Sequence, residues 1–303
     1  MTFAKTGTGT AFHAYRPVGW VRVSGADAGT FLQGQFTQEL RGLHAGHGAY
    51  GLWLNEKGKV LADSFIIRSE RENEFWLMSY FCPSSVLVER LEPYVIADDV
   101  VLADESSRWA AISLIGEGDL DEWMKADARD GFVFPGRRQR GKNLEWIFPV
   151  ERLASVREQF LAAGAVEKTE ADVERLRIES GIPAVTRDIG PGDLPNEGGL
   201  EDDAISYTKG CYLGQEVMAR LKSMGRVRRR LLRVTSDQNG PASLPAPLFL
   251  RDRVVGELRS AANDESAGKF IGLALLSLMH LQPQAALAFA AGGVPAVRLV
   301  DAP

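Results

Sequence analysis

An α+β fold is predicted for this 303-residue chain by three features of its sequence. Strand-like and helical stripes alternate at short spacing. None of the long intervals that parallel βαβ units need is present. After Gly225 the texture changes to short strand-like pieces separated by turn residues, which suggests a small β-barrel or sandwich. A domain boundary is therefore expected near Arg226, with residues 1–226 as an N-terminal region and 227–303 as a C-terminal barrel.

The elements follow from local patterns. Trp20, Val21 and Val23 read as a strand ending at Ser24-Gly25. Ala28, Phe31, Leu32 and Phe36 share one face of a helix that Ser24 is expected to cap. Tyr50, Leu52 and Leu54 alternate before the turn Asn55-Glu56-Lys57-Gly58, and Val60–Ile67 returns as the second arm of a hairpin. Phe75–Tyr80 is a further strand, and Leu87, Leu91, Tyr94 and Val95 form a helical stripe after Pro83. Val100–Leu102 and Trp109–Ile115 are strands, followed by a short helix near Asp119–Ala126. Leu153, Val156, Phe160 and Leu161 mark a helix that Gly164 ends. Thr169 to Asp172 is a capping-box variant opening the next helix, which runs through Arg177 and stops at Gly181-Ile182-Pro183.

From Ile182 to Thr208, prolines and glycines at positions 183, 190, 191, 192, 195, 198 and 199 leave little room for regular structure. Long irregular segments inside compact domains are usually functional. The strands expected beyond Gly225 are Arg228–Thr235, Leu248–Leu250, Val254–Leu258, Phe270–Leu276 and Ala285–Ala290.

Composition bounds the function. Hydrophobic residues make up 45% and charged residues 25%, enough for a substantial core. A formal charge of −5 lacks the basic footprint of a dedicated nucleic-acid binder, so no direct nucleic-acid partner is expected. Cys82 and Cys211 are too few for a disulfide scaffold, which points to a reducing compartment. They are also too few to supply the four thiolates of an iron–sulfur cluster. No signal peptide or membrane-spanning run is evident, so the expected location is the cytoplasm or an organelle matrix.

Chemistry concentrates in Lys209-Gly-Cys211-Tyr212-Leu-Gly-Gln215-Glu216, which leads into a helical stripe of Val217, Leu221 and Met224. A loop-to-helix junction presents free N–H groups that favour thiolates, and Lys209 adds a positive charge. Cys211 is therefore expected to be reactive; a small buried cysteine is the plain alternative.

This octapeptide, continued by Met218-Ala219-Arg220, resembles the signature of the YgfZ family of iron–sulfur biogenesis proteins. Its wider superfamily includes the aminomethyltransferase (T-protein) of glycine cleavage. Further resemblance lies in Phe31–Thr37, in the hairpin Leu54–Asp63, in Arg177–Pro183 and in Leu194-Pro-Asn-Glu197. The resemblance implies a T-protein-like ring of two α+β subdomains and a C-terminal β-barrel around a central tetrahydrofolate pocket. It implies that Glu197 binds the pterin, for which a carboxylate accepting two N–H donors is suited. Tyr212, Gln215, Glu216 and Arg220 are expected near the cofactor, with Cys211, Lys209 and Asp63 as the reactive group. Where aminomethyltransferases carry paired aspartates this chain has Ala62-Asp63, which weakens the case for aminomethyl transfer.

The expected function is thus a tetrahydrofolate-binding protein that supports [4Fe–4S] assembly or repair, with iron–sulfur client or carrier proteins as partners. The alternative is a folate-dependent one-carbon transferase acting on a small amine, with Asp63 moving the proton. An adaptor that ignores folate is a third reading. Other signals carry less. His44 and His47 lack a third ligand, Ser206-x-x-Lys209 stands without companion motifs, and no phosphate-binding glycine loop is present. Lys222, Arg226, Arg228, Arg229 and Arg230 read as a solvated basic cluster, or as a site for an acidic tail, an acidic partner or RNA.

Overall fold

The period-two segments near the N-terminus divide between two sheets. The computed structural model describes residues 9–116, 131–225, 227–264 and 268–301. Strand β1 (Ala11–Tyr15) starts the first sheet, and β2 (Gly19–Ser24) leaves at once for the second. Then come helix α1 (Ala28–Gln35), the hairpin β3 (Gly48–Leu54) and β4 (Val60–Arg68), β5 (Glu74–Ser79), α2 (Ser84–Leu91) and β6 (Val101–Asp104). These strands form an antiparallel sheet in the order β3-β4-β5-β2-β6.

The chain then returns to the first sheet through β7 (Trp109–Ile115), β8 (Phe132–Pro135), β9 (Asn143–Pro149), α3 (Leu153–Ala162) and β10 (Val166–Glu167). The order there is β10-β1-β7-β9-β8, antiparallel apart from the parallel pair of β1 with β10. The helix expected near Asp119–Ala126 lies outside the described residues, as does Arg226, where the domain boundary was drawn.

An aromatic layer joins the two sheets: Trp20, Phe65, Trp76, Tyr80 and Phe134 are buried between them, with Trp20 stacked on Trp76 at 5.0 Å. On the far side of the first sheet, Phe12, Leu114 and Phe148 pack against Val156 and Phe160 of α3. On the far side of the second, Leu52, Leu54 and Ile66 pack with α1, α2 and residues from the 185–218 segment.

Ser24 does not cap α1. It is the last rung of β2, opposite Glu74 and Val101, and so lies inside the sheet. The first helical turn is instead held by Asp99, whose carbonyl accepts from Asp27 N (3.2 Å) and whose carboxylate accepts from Ala26 N (3.1 Å). The Thr169 capping box is present, with Thr169 Oγ1 and Asp172 bonding reciprocally at the start of α4 (Glu170–Glu179). From α4 to α5 (Gln215–Met224) the chain forms only a short 3₁₀ turn at Pro195–Gly198 and one isolated bridge between Val185 and Ile189.

The C-terminal sheet comprises β11 (Arg229–Ser236), β12 (Ala246–Leu250), β13 (Arg253–Asp264), β14 (Lys269–Ser277), β15 (Ala286–Leu287) and β16 (Val297–Leu299). Its order is β12-β13-β14-β11-β16-β15. Phe249 and Ala288 exchange backbone hydrogen bonds of 2.8 and 2.9 Å, which brings the end of the sheet back to β12 and closes it towards a barrel. Val234, Leu248, Phe270 and Leu287 fill the interior.

Candidate functional site

Three separated segments meet at the Lys209–Glu216 motif. Lys209 is buried, and its Nζ donates to the carbonyls of Gln33 (2.8 Å), Phe36 (2.6 Å) and Gln38 (2.9 Å). These groups lie at and just beyond the C-terminus of α1, where carbonyls lack helical partners. An ammonium has three protons, and all three are used. Lys209 therefore anchors the motif to α1; its charge is not directed at Cys211, which corrects the expected pairing.

Leu213 N donates to Gly34 O (3.2 Å), a second tie to the same helix. Gly214 adopts φ 86° as the N-cap of α5 and sits on the β3–β4 turn, where an added Cβ would lie 2.7 Å from Asn55 O. Gly58 of that turn, at φ 69°, faces Val217 and Met218 of α5 just as closely. The helix begins at Gln215, so Cys211 lies a full turn ahead of it, beyond the range in which the helix end acts. Cys211 is exposed, while Cys82 is buried.

Other expected site residues are dispersed. Tyr212 is buried in the core beside Lys209, whose ammonium is 5.3 Å from the ring centre. Gln215 is half-buried at the start of α5. Glu216 and Arg220 pair with each other on its exposed face. Asp63 is 4% exposed and accepts from Tyr50 Oη (2.8 Å), Ser79 Oγ (3.0 Å) and Cys82 Sγ (3.4 Å). Burial pushes its carboxyl above the ordinary range despite those donors.

Glu197 is 5% exposed, and its carboxylate is already engaged. Arg229 donates to Oε1 (2.9 Å) and to Oε2 (3.0 Å), and Leu194 N donates to Oε2 (2.8 Å). Arg229 also reaches Asp193 at 3.0 Å, and Asp193 pairs in turn with Arg259 of β13. Arg229, read from sequence as part of a solvated basic cluster, is thus a structural clamp between the irregular segment and the barrel. Nothing in its local sequence separates it from Arg228 and Arg230; the partners lie more than thirty residues away.

The model of the GCVT N-terminal domain matches residues 11–118. The human mitochondrial iron–sulfur cluster assembly factor IBA57 is 30% identical over 282 residues, covering 84% of this chain and 74% of that protein. The chain belongs to the IBA57/YgfZ family. A tRNA-modifying protein YgfZ from Edwardsiella ictaluri is 28% identical over 275 residues, covering 85% of this chain and 82% of its own. The fold also matches the crystal structure of the glycine cleavage system aminomethyltransferase T from Bartonella henselae, with a TM-score of 0.77, 16% identity and coverage of 98% and 86%. The T-protein-like fold expected of this IBA57/YgfZ family member is therefore the one found. Among the described residues no group of three His, Cys, Asp or Glu is arranged to hold a metal ion, and no helix is long and apolar enough to cross a membrane.

The anchoring lysine of this IBA57/YgfZ family member makes a pH-dependent contribution. Burial draws the Lys209 ammonium down to about 8. Between that value and the ~10.4 of an unfolded lysine, the unfolded chain holds the proton and the folded chain releases it. This group therefore adds to stability as pH rises through the window, and below the window its burial cost is present in full. Lys209→Met is expected to lose that rise. Denaturant melts at about pH 7.5 and about pH 10 measure it, and identical pH dependence in both proteins would overturn the assignment.

Proposed function

We propose that this protein binds tetrahydrofolate and supports assembly or repair of [4Fe–4S] clusters in client enzymes, with Cys211 as the thiol that meets the carrier or client. The observation that carries this reading is an exposed cysteine on a loop fixed from both sides: Lys209 is locked to α1, and Gly214 is seated on the β3–β4 turn. Cysteine thiolates are the usual ligands of cluster iron. One reachable thiol is enough for a transient contact in which the partner provides the remaining ligands. Cys82 does not serve: it is enclosed in the core, and burial pushes its thiol up. The family's named members in iron–sulfur assembly support the same reading.

Tetrahydrofolate enters as a ligand, and the expected acceptor does not fit it as arranged. Both oxygens of Glu197 already accept a hydrogen bond from Arg229, so a bidentate pterin contact there requires breaking that pair. The one-carbon transferase alternative is disfavoured by Asp63, whose carboxylate is enclosed by Tyr50, Ser79 and Cys82.

The test is rescue of cells lacking their own family member, with a [4Fe–4S] enzyme and glycine cleavage assayed in parallel. Wild type is expected to restore the cluster enzyme and Cys211→Ser to fail. The exposed substitution should leave stability within about 0.5 kcal/mol. Rescue by Cys211→Ser would remove the thiol from the mechanism, and failure of wild type would remove the assembly role.

A further inference from the structure

Strand β6 is the last in its sheet, so one of its edges has no neighbouring strand. Glu105 N donates to Trp20 O (2.9 Å), which makes that opposed pair a hydrogen-bonded rung. Such rungs alternate along an antiparallel ladder, so Ala103 and Val101 are the next to bond β2, opposite Arg22 and Ser24. The N–H and C=O groups of Leu102 and Asp104 therefore point outward, and none of them has a partner among the described residues.

Open edges are commonly protected by a lysine, a proline or a bulge. Val101–Asp104 has none of these, and its pairing with β2 runs without a register shift. Apolar side chains accompany it instead: Val101 is 55% exposed, and Ile96 of the preceding loop is 89% exposed.

Charge decides what such an edge accepts. From Glu89 to Arg108 the chain carries Glu89, Glu92, Asp98, Asp99, Asp104 and Glu105 against Arg90 and Arg108. Arg90 is buried on Leu54 O, and Arg108 is spent on Glu105. Arg22 of β2 also pairs with Glu105, Arg71 pairs with Glu74 two strands away, and Arg16 lies back in the β1–β2 link. Asp98 and Asp99 are exposed at one end of β6 and Asp104 at the other. Two copies of this chain meeting edge to edge would set acid against acid.

We propose that the open edge of β6 docks an extended, lysine- or arginine-rich segment of a partner protein, which joins the sheet as a further strand. The outward groups of Leu102 and Asp104 pair with its backbone, Val101 gives it an apolar contact, and Asp98, Asp99 and Asp104 select its cations. This surface depends neither on Cys211 nor on folate.

The probe is a fluorescein-labelled octapeptide alternating valine with lysine, beside the same peptide with glutamate for lysine. Anisotropy titrations use the full chain as wild type, Leu102→Pro and Val101→Lys. The lysine peptide is expected to bind, more weakly as salt rises, and the glutamate peptide not to bind. Leu102→Pro removes an outward N–H and nothing that β2 uses, so it should weaken binding at least about tenfold while melting close to wild type. Val101→Lys, at an exposed position, should weaken it as well, and it decides alone if the proline variant does not fold. Equal binding of both peptides, no binding of the lysine peptide, or binding unchanged in Val101→Lys overturns the proposal. Sedimentation of the free protein supplies the remaining arm: self-association that Val101→Lys abolishes would give the edge to a second copy and overturn it too.

Discussion

Asp188→Ala is expected to destabilise the protein by about 4 kcal/mol, lowering its melting temperature by roughly 10 °C. Asp188 is fully buried and sits 2.6 Å from the guanidinium of Arg177, itself 2% exposed. Its carboxylate also accepts from Ala184 N (2.8 Å) and from Ser260 Oγ of the barrel. Removing it strands a buried cation with Glu174 as its remaining carboxylate, at 2.6 Å, and orphans two further donors. Stranding one member of a buried pair costs far more than replacing both. The double change Arg177→Met with Asp188→Leu should therefore cost less than Asp188→Ala alone. Chemical denaturation measures both, and a single-mutant loss below about 1 kcal/mol would mean the pair is not what holds α4, the irregular segment and β13 together.

Gly214→Ala is expected to cost about 3 kcal/mol and to abolish rescue, although residue 214 is neither charged nor reactive. Two effects add. Its φ of 86° is strained for any residue with a Cβ, and that atom would lie 2.7 Å from Asn55 O and 3.2 Å from Gly58 Cα. Both obstacles are backbone, so α5 must shift or the β3–β4 turn must open. Either movement displaces the loop carrying Cys211. The informative measurement combines a melt with the cell rescue. Normal rescue with an unchanged melt would show that the seat of α5 on the hairpin has no bearing on the thiol.

Local grammar made much of this fold legible, and long-range partnership stayed hidden. The Asn55–Gly58 turn shows in the sequence because Asn55 Oδ1 accepts from Lys57 N and Lys59 N and Gly58 takes the left-handed conformation, all within five residues. The Thr169 box is equally local. Strands β1, β8, β9 and β16 lacked a turn or a long alternation to announce them; β16 is three residues that pair with β11 from more than sixty positions away. The motif cysteine could be found by its octapeptide. The role of Lys209 could not, because its three acceptors lie over 170 residues upstream and a lysine beside a cysteine invites the nearer explanation. Glu197 misled for the same reason: Arg229, which occupies it, is 32 residues on.

The early departure of the chain from its first sheet sets a timetable for biosynthesis. Strands β2 to β6 are contiguous from Gly19 to Asp104 and can pair as soon as they clear the ribosome. Strand β1 emerges before any of them, yet Ala11 pairs with Ile115 on one side and Val166 on the other. At ordinary translation rates its outer neighbour arrives roughly 8 to 30 s later. Throughout that interval Phe12, destined for the α3 core, is exposed on a tethered strand with no edge to join. A nascent chain of this protein is therefore most open to chaperones at β1, and pausing translation before residue 115 should prolong that capture more than pausing after residue 166.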